Sequence, residues 1–189
     1  MVARSEHVKK VKSLNYADIK QYDVANGVGV RVSLFVSGCT HACEGCFNRE
    51  AWDFNYGKPF TEKEIDDIIE YMKPSYVAGL SLLGGEPMEP SNQEGILPLL
   101  RRVHETYPEK NIWMYSGYLF DEDILSRMCK ESEISREIIS YIDILVDGEF
   151  ILARKNLKVN FRGSDNQRII DVKKSLKTGE VVHWEGEKV

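Results

Sequence analysis

Four short apolar runs, each breaking off into a polar turn that contains glycine, constrain the fold of this chain more than any other feature. They are VRVSLFVSG after Gly29, VAGLSLLGG over 77–85, NIWMYSGY over 111–118 and YIDILVDG over 141–148. Alternation together with β-branched and aromatic content marks such runs as strands. The stretches between them read as helices. Thr61 and Glu64 form a capping box ahead of Ile65, Ile68, Ile69 and Met72, and Lys73-Pro74 closes that helix. Ser91 and Glu94 are placed to cap a second helix with Ile96, Leu99, Leu100 and Val103 on its core face, and Pro98 predicts a late start or a bend. A charged helical region runs from about Asp121 to Ser140, and the tail from Asn160 reads as a loop followed by one or two extended edge segments.

Strands alternating with helices imply βαβ units and a mainly parallel sheet. At 189 residues the chain is short of the roughly 250 of a complete eight-unit barrel, so the expected fold is a single α/β domain built as a partial, open (β/α) barrel. In such folds chemistry collects at the C-terminal ends of the strands. The four polar turns are therefore expected to converge on one rim.

Composition narrows the function classes. A net charge of −5 with 29% charged residues argues against a dedicated nucleic-acid binder. The opening MVARSEHVKKVKS lacks an apolar signal segment, and no run approaches the ~20 apolar residues of a membrane span. The expected location is the cytoplasm, where clustered cysteines point to a metal or redox site before a disulfide framework.

Three of the four cysteines lie in SGCTHACEGCFN, residues 37–48, as Cys39, Cys43 and Cys46 with the spacing C-x3-C-x2-C. Three readings compete. A structural zinc site would need a fourth ligand, for which His41 or the distant Cys129 stands available. A disulfide with a spare thiol fits a reducing compartment poorly. An iron-sulfur cluster on three thiolates would leave one iron without a protein ligand, open to a substrate or cofactor. The second motif, Gly84-Gly85-Glu86-Pro87, also follows a strand, and its paired glycines and carboxylate would suit an ammonium group.

Together these motifs resemble the radical S-adenosylmethionine enzymes. GVRVSLFVSGCTHACEGCFN, LLGGEP, WMYSGY, ILVDGEF and FRGSDNQRIIDV resemble in particular the small family that activates anaerobic ribonucleoside-triphosphate reductase. The resemblance covers about residues 15 to 184 and divides the chain into a basic extension over 1–14 and a radical S-adenosylmethionine domain over 15–189. It implies a 4Fe-4S cluster on Cys39, Cys43 and Cys46 whose fourth iron is chelated by S-adenosylmethionine. Gly84, Gly85 and Glu86 would meet the methionine amino group. Reductive cleavage would give a 5′-deoxyadenosyl radical that takes hydrogen from a glycine of the reductase and leaves a glycyl radical there. The electron donor implied is reduced flavodoxin or a similar small carrier. Many members of the superfamily carry an aromatic residue just before the third cysteine. This chain has Gly45 there and Phe47 just after, which sets adenine against the Gly45-Cys46-Phe47 backbone and the Phe47 ring.

The alternatives are another radical enzyme, of the pyruvate formate-lyase activator or deazaguanine synthase type, and a zinc-binding interaction module. The RGSDNQR tail and the short chain argue against the first pair. Cys129 reads as an incidental buried thiol, and His41 as a loop residue that hydrogen-bonds locally. Ser116 is a candidate cofactor contact beside Tyr115, with Trp113 in the core. Asp147 is placed either to orient ribose hydroxyls or to cap a turn, and the segment Arg162 to Arg168 either to bind the reductase or a cofactor carboxylate, or to lie solvated.

Overall fold

A computed structural model of the chain describes residues 14–186. Seven strands, β1 (Asn15–Asp23), β2 (Val30–Val36), β3 (Lys58–Pro59), β4 (Val77–Gly84), β5 (Asn111–Ser116), β6 (Ile144–Asp147) and β7 (Arg168–Asp171), form one sheet in the order β3-β1-β2-β4-β5-β6-β7. The sheet is open. Its centre, β2-β4-β5-β6, is parallel as the sequence predicts, whereas β1, β3 and β7 run antiparallel at the two edges. The sheet is thus mixed rather than mainly parallel. β1 joins β2 through the short turn 24–29, which permits only an antiparallel neighbour. The sequence NYADIKQYD gives little warning of it, because its burial is partial and its apolar content low.

The parallel strands are buried on both faces, as such strands generally are. Val32, Leu34 and Val36 of β2, Leu80 and Leu82 of β4, Ile112 and Met114 of β5 and Leu145 of β6 face a single large apolar core. That core also takes residues from α1 (Glu62–Met72), α2 (Pro90–Thr106), α3 (Cys129–Glu131), α4 (Glu133–Tyr141) and α5 (Val172–Thr178). The helices therefore lie against one face, and the period of two turns the intervening strand residues to the other. There Trp113, Ile144 and Val146 make a second, smaller cluster with Tyr115, Phe161 and Trp184.

Arg31 is the unexpected resident of this second face. It is fully buried, and its guanidinium donates to Ser81 Oγ at 2.7 Å, Leu80 O at 2.7 Å, Asn111 Oδ1 at 2.8 Å, Asn111 O at 3.1 Å and Val28 O at 3.2 Å, with the Trp113 ring 5.5 Å away. Burial lowers its pKa to about 10, so it stays charged at neutral pH. The side chain ties β2, β4, β5 and the β1–β2 turn together across the sheet.

Helix details both follow and depart from the pattern. The Thr61–Glu64 capping box forms around α1, with Ile65, Ile68 and Met72 buried. α2 starts at Pro90, before Ser91, with no side-chain cap on its first turn, and is not interrupted at Pro98. Proline is well suited to a first helical position. At Pro98 the missing N–H frees the carbonyl of Glu94, and both residues are exposed, so water can take its place. The region 121–140 is not one helix: Phe120–Met128 winds as a π-helix that passes into α3, and Ser132 then caps α4 by accepting from Ser135 N. α4 runs on to Tyr141, so β6 begins only at Ile144. The tail supplies the expected edge strand β7 and a bridge from Ile170 to His183, but also the unforeseen α5, closed by left-handed Gly179.

The basic extension over 1–14 lies outside the described residues except for Leu14. That residue is buried, packs into the main core and accepts a hydrogen bond from Phe60 N at 2.8 Å. Replacing Arg31 with Met should lower the unfolding free energy by ~3 kcal/mol, because several buried acceptors lose their donor at once. Urea denaturation of the cluster-free protein measures this, and a loss under ~1 kcal/mol would show that Arg31 is not the tie described.

Candidate functional site

All four parallel strands end on the same side of the sheet, in register. Val36 pairs with Gly84, and Ser116 with Asp147. The turns that follow are sewn to one another by backbone. Gly85 N donates to Val36 O at 2.7 Å, Glu86 N to Gly38 O at 2.9 Å and Gly38 N to Ala51 O at 2.8 Å. Asn92, fully inside, donates its amide to both Gly38 O and Glu86 O. This closeness explains the paired glycines. Gly84 sits at φ +112 with β2 backbone 2.6 Å from where a Cβ would lie, and a Cβ on Gly85 would meet Gly38 O at 2.6 Å. Their first service is to let the cysteine loop approach β4.

Cys39, Cys43 and Cys46 are partly exposed and line one cavity of about 410 Å³ together with Gly45, Phe47, Gly84, Gly85, Glu86 and Ser116. The sequence-predicted site residues thus come together. The loop folds back on itself through left-handed Ala42 and Gly45, at φ 52 and 75, and through Cys46 N donating to Cys43 O. Burial pushes the Cys39 thiol up to about 11, opposed by the backbone N–H groups of His41 and Ala42 that donate to its sulfur. Cys43 is raised in the same way, and the Phe150 N–H donates to it. Phe47 is 84% exposed.

Glu86 is 1% exposed, and its carboxylate is fully engaged. Oε1 accepts from Met88 N at 2.8 Å and Ser116 Oγ at 2.9 Å; Oε2 accepts from Gly117 N at 2.7 Å and His41 Nε2 at 3.1 Å. The other ring nitrogen of His41 meets Glu149 Oε1 at 2.8 Å. Burial alone would favour neutral His41, but Glu86 and then Glu149 outweigh it and raise its pKa to about 9. A doubly protonated ring has two donors, and here each has a carboxylate. His41 therefore does not bond locally: its partners are 45 and 108 residues away in sequence. Both nitrogens being taken, it is also not free to ligate zinc. Sequence reasoning missed Glu149, whose only signal is its place directly after the VDG turn.

The remaining candidates sort cleanly. Cys129 packs in the helix-side core, on the opposite face from the cavity. Trp113 is core, while Tyr115 lines the cavity and burial raises its pKa. Asp147 is completely buried, accepts from Phe120 N at 2.8 Å at the start of the π-helix and pairs with Arg168. It caps, and it is not among the residues that line the cavity. Arg168 is accordingly committed to Asp147 and Asp121, whereas Arg162 lines the cavity.

A family model described as a 4Fe-4S single cluster domain matches residues 25–170. The chain is 40% identical over 158 residues to the anaerobic ribonucleoside-triphosphate reductase-activating protein of Pasteurella multocida, covering 82% of this chain and 96% of that protein. It is 42% identical over 158 residues to the one from Enterobacteria phage T4, covering 82% and 93%. With the one from Escherichia coli the identity is 38% over 156 residues, covering 82% and 96%. The chain belongs to the family of anaerobic ribonucleoside-triphosphate reductase-activating proteins.

For a member of this activating-protein family the donor set can be tested against a 4Fe-4S centre. Among the described residues no three His, Cys, Asp or Glu side chains are gathered as a ready single-ion site. The three thiols instead share a cavity with backbone N–H groups close to two of the sulfurs, and hydrogen bonds to cluster sulfurs are one of the protein's means of setting potential. The fourth cysteine is out of reach in the core. Three thiols and no fourth fit a cluster with one iron open.

A Cβ on Gly117 would lie 2.6 Å from His41 Cδ2 and Nε2. Gly117→Ala should therefore push His41 off Glu86, destabilise the cluster-free protein by ~1–3 kcal/mol and speed amide exchange across residues 39–48. Hydrogen-exchange mass spectrometry checks this, and unchanged protection of that loop would refute it.

Proposed function

We propose that this chain activates anaerobic ribonucleoside-triphosphate reductase by generating a glycyl radical in it, with a 4Fe-4S cluster and S-adenosylmethionine as cofactors. The observation that carries the reading is the meeting of the three cysteines, the Gly84-Gly85-Glu86 turn and the β5 and β6 ends around one open cavity. When bound, the cluster and S-adenosylmethionine supply reductive cleavage of the sulfonium carbon-sulfur bond and the hydrogen abstraction that follows. Cys39, Cys43 and Cys46 hold the cluster as thiolates. Gly84, Gly85 and Ser116 line the side of the cavity where the methionine end is received, and Gly45, Cys46 and the Phe47 ring take the adenine.

The rest of the cavity has two tasks, positioning and exclusion of water and other hydrogen donors. Trp52, Leu83, Phe150 and Phe161 give it apolar walls. The open sheet serves as the partial barrel of radical S-adenosylmethionine enzymes, and its unclosed side admits a loop of a large protein target. Arg162, facing the cavity, is left for the reductase or a cofactor carboxylate. A reduced flavodoxin or similar carrier supplies the electron, and the work is done in the cytoplasm. No helix among the described residues is long and apolar enough to cross a membrane.

The test is anaerobic: reconstituted protein, S-adenosylmethionine, a reductant and the reductase should give the doublet of a glycyl radical by electron paramagnetic resonance. An intact cluster without that signal would move the assignment to another radical enzyme. Alanine at Cys39, Cys43 or Cys46 should abolish reductive cleavage of S-adenosylmethionine, measured as methionine released, while Cys129→Ala should retain it. Equal loss for Cys129→Ala would overturn the ligand assignment.

A further inference from the structure

The segment 151–162, ILARKNLKVNFR, carries four cations and no acid in a chain of net charge −5. Between β6 and β7 it folds as an arm that the protein's own bonds hold in place. Lys155 bridges to Ser164, Asn156 N donates to Gly163 O at 3.2 Å and Asp165 N to Arg154 O at 3.0 Å. Arg154 pairs with Asp165 at 2.6 Å. Phe161, left-handed at φ 57, sets its ring edge-on to Trp113 with centroids 5.3 Å apart. What the side chains of this arm present to solvent is therefore a fixed feature of the surface.

Much of what they present is apolar. Leu157 is 90% exposed, and Ile151 and Leu152 are 42% and 43% exposed. A single exposed leucine needs no explanation, since apolar atoms cover much of any protein surface. Here three such residues share one arm, and the arm borders the cavity. Lys155 and Leu157 line it, and Leu152 Cδ1 lies 2.8 Å from where a Cβ on Gly45 would stand. An apolar group gathered at the mouth of a cavity marks a surface that another molecule covers. The charges indicate which kind. Arg154 is answered by Asp165, but among the described residues neither Lys155 nor Lys158 has an acidic partner. Exposed leucines set among unanswered cations complement a protein segment with apolar and acidic side chains. Continuity with the cavity places that segment next to the residue that enters it.

We propose that the arm 151–158 is the docking surface for the glycine-bearing loop of the protein target. It takes apolar side chains on Ile151, Leu152 and Leu157 and carboxylates on Lys155 and Lys158. The inference rests on the reading of the chain as an activator of anaerobic ribonucleoside-triphosphate reductase, and adds which surface meets that protein and what chemistry flanks its glycine.

The test titrates the reductase against anaerobically reconstituted wild type, Leu157→Asp, Leu157→Met and Lys158→Glu with S-adenosylmethionine and a chemical reductant. Glycyl radical is read by electron paramagnetic resonance, and methionine release is measured separately without reductase. Leu157→Asp should raise the half-saturating reductase concentration about tenfold or more, the effect of a charge set into the apolar part of an interface. Lys158→Glu should raise it about threefold or more and weaken its dependence on salt, while Leu157→Met should stay within about twofold. Methionine release without reductase should stay within about twofold throughout, because neither side chain is assigned to the cofactors. Half-saturation unchanged in both Leu157→Asp and Lys158→Glu, or an equal loss of methionine release without reductase, would overturn the proposal. So would a wild type that dimerises through this arm, seen as a shift from dimer to monomer in Leu157→Asp. Wild type that forms no glycyl radical at any reductase concentration would instead refute the reading of function on which the surface rests.

Discussion

The buried carboxylate of Glu86 is the knot on which the functional rim depends. An ionised carboxylate taken from water costs several kcal/mol unless donors replace its hydration. Here the replacement comes from the ends of three different strands: Met88 N from its own turn after β4, Ser116 and Gly117 after β5, and His41 from the loop after β2. His41 extends the chain of contacts to Glu149 after β6. The cysteine loop has almost no regular structure, so its position is set by this network and by the backbone bonds to Gly38. A buried charge in this setting constrains geometry more than it adds stability, since removing any one donor leaves the rest of the desolvation cost uncompensated.

Arg31 performs the corresponding task lower on the same face. The helix side of the sheet is closed by an apolar core, which needs only volume and period. Among the described residues the other face has no helical layer, and a wholly apolar surface there would draw unspecific contacts. It carries instead a cation satisfied by five acceptors, the Trp113 cluster and the walls of the cavity. Stability and chemistry are thus divided between the two faces. The cavity takes its form from polar bonds within the protein itself, which is the kind of positioning that preorganisation requires.

Much of this was legible in the residues, and what escaped did so for identifiable reasons. The parallel strands and α1 follow from apolar period, and the convergence of their turns follows from topology. Strand β1, between β3 and β2, is half-buried and lacks a strong pattern, so its pairing is decided by the sheet rather than by NYADIKQYD. The break at Ser132 falls in a charged run with no Gly or Pro to mark it, so only the serine cap signals it. At the site, C-x3-C-x2-C led to three thiols on one cavity because so short a spacing keeps them on one loop. His41, Glu149 and Arg31 were not legible, because their partners lie tens of residues away or more and no local pattern encodes a long-range hydrogen bond.

The two motifs are also less independent than they look in sequence. Gly84 and Gly85 lie against Val36 and Gly38, the residues that lead into Cys39, at distances that exclude any side chain. A cysteine loop set on the end of β2 therefore requires a bare turn at the end of β4, whatever that turn later binds. The glycine pair answers first to the packing of the loop, and the glutamate to the four donors that the packing brings together. A motif of this kind is shaped by packing and hydrogen bonding before any ligand enters the argument. That priority follows from hydrogen-bond saturation, which depends on residues from three strand ends and is decided only once the sheet has formed.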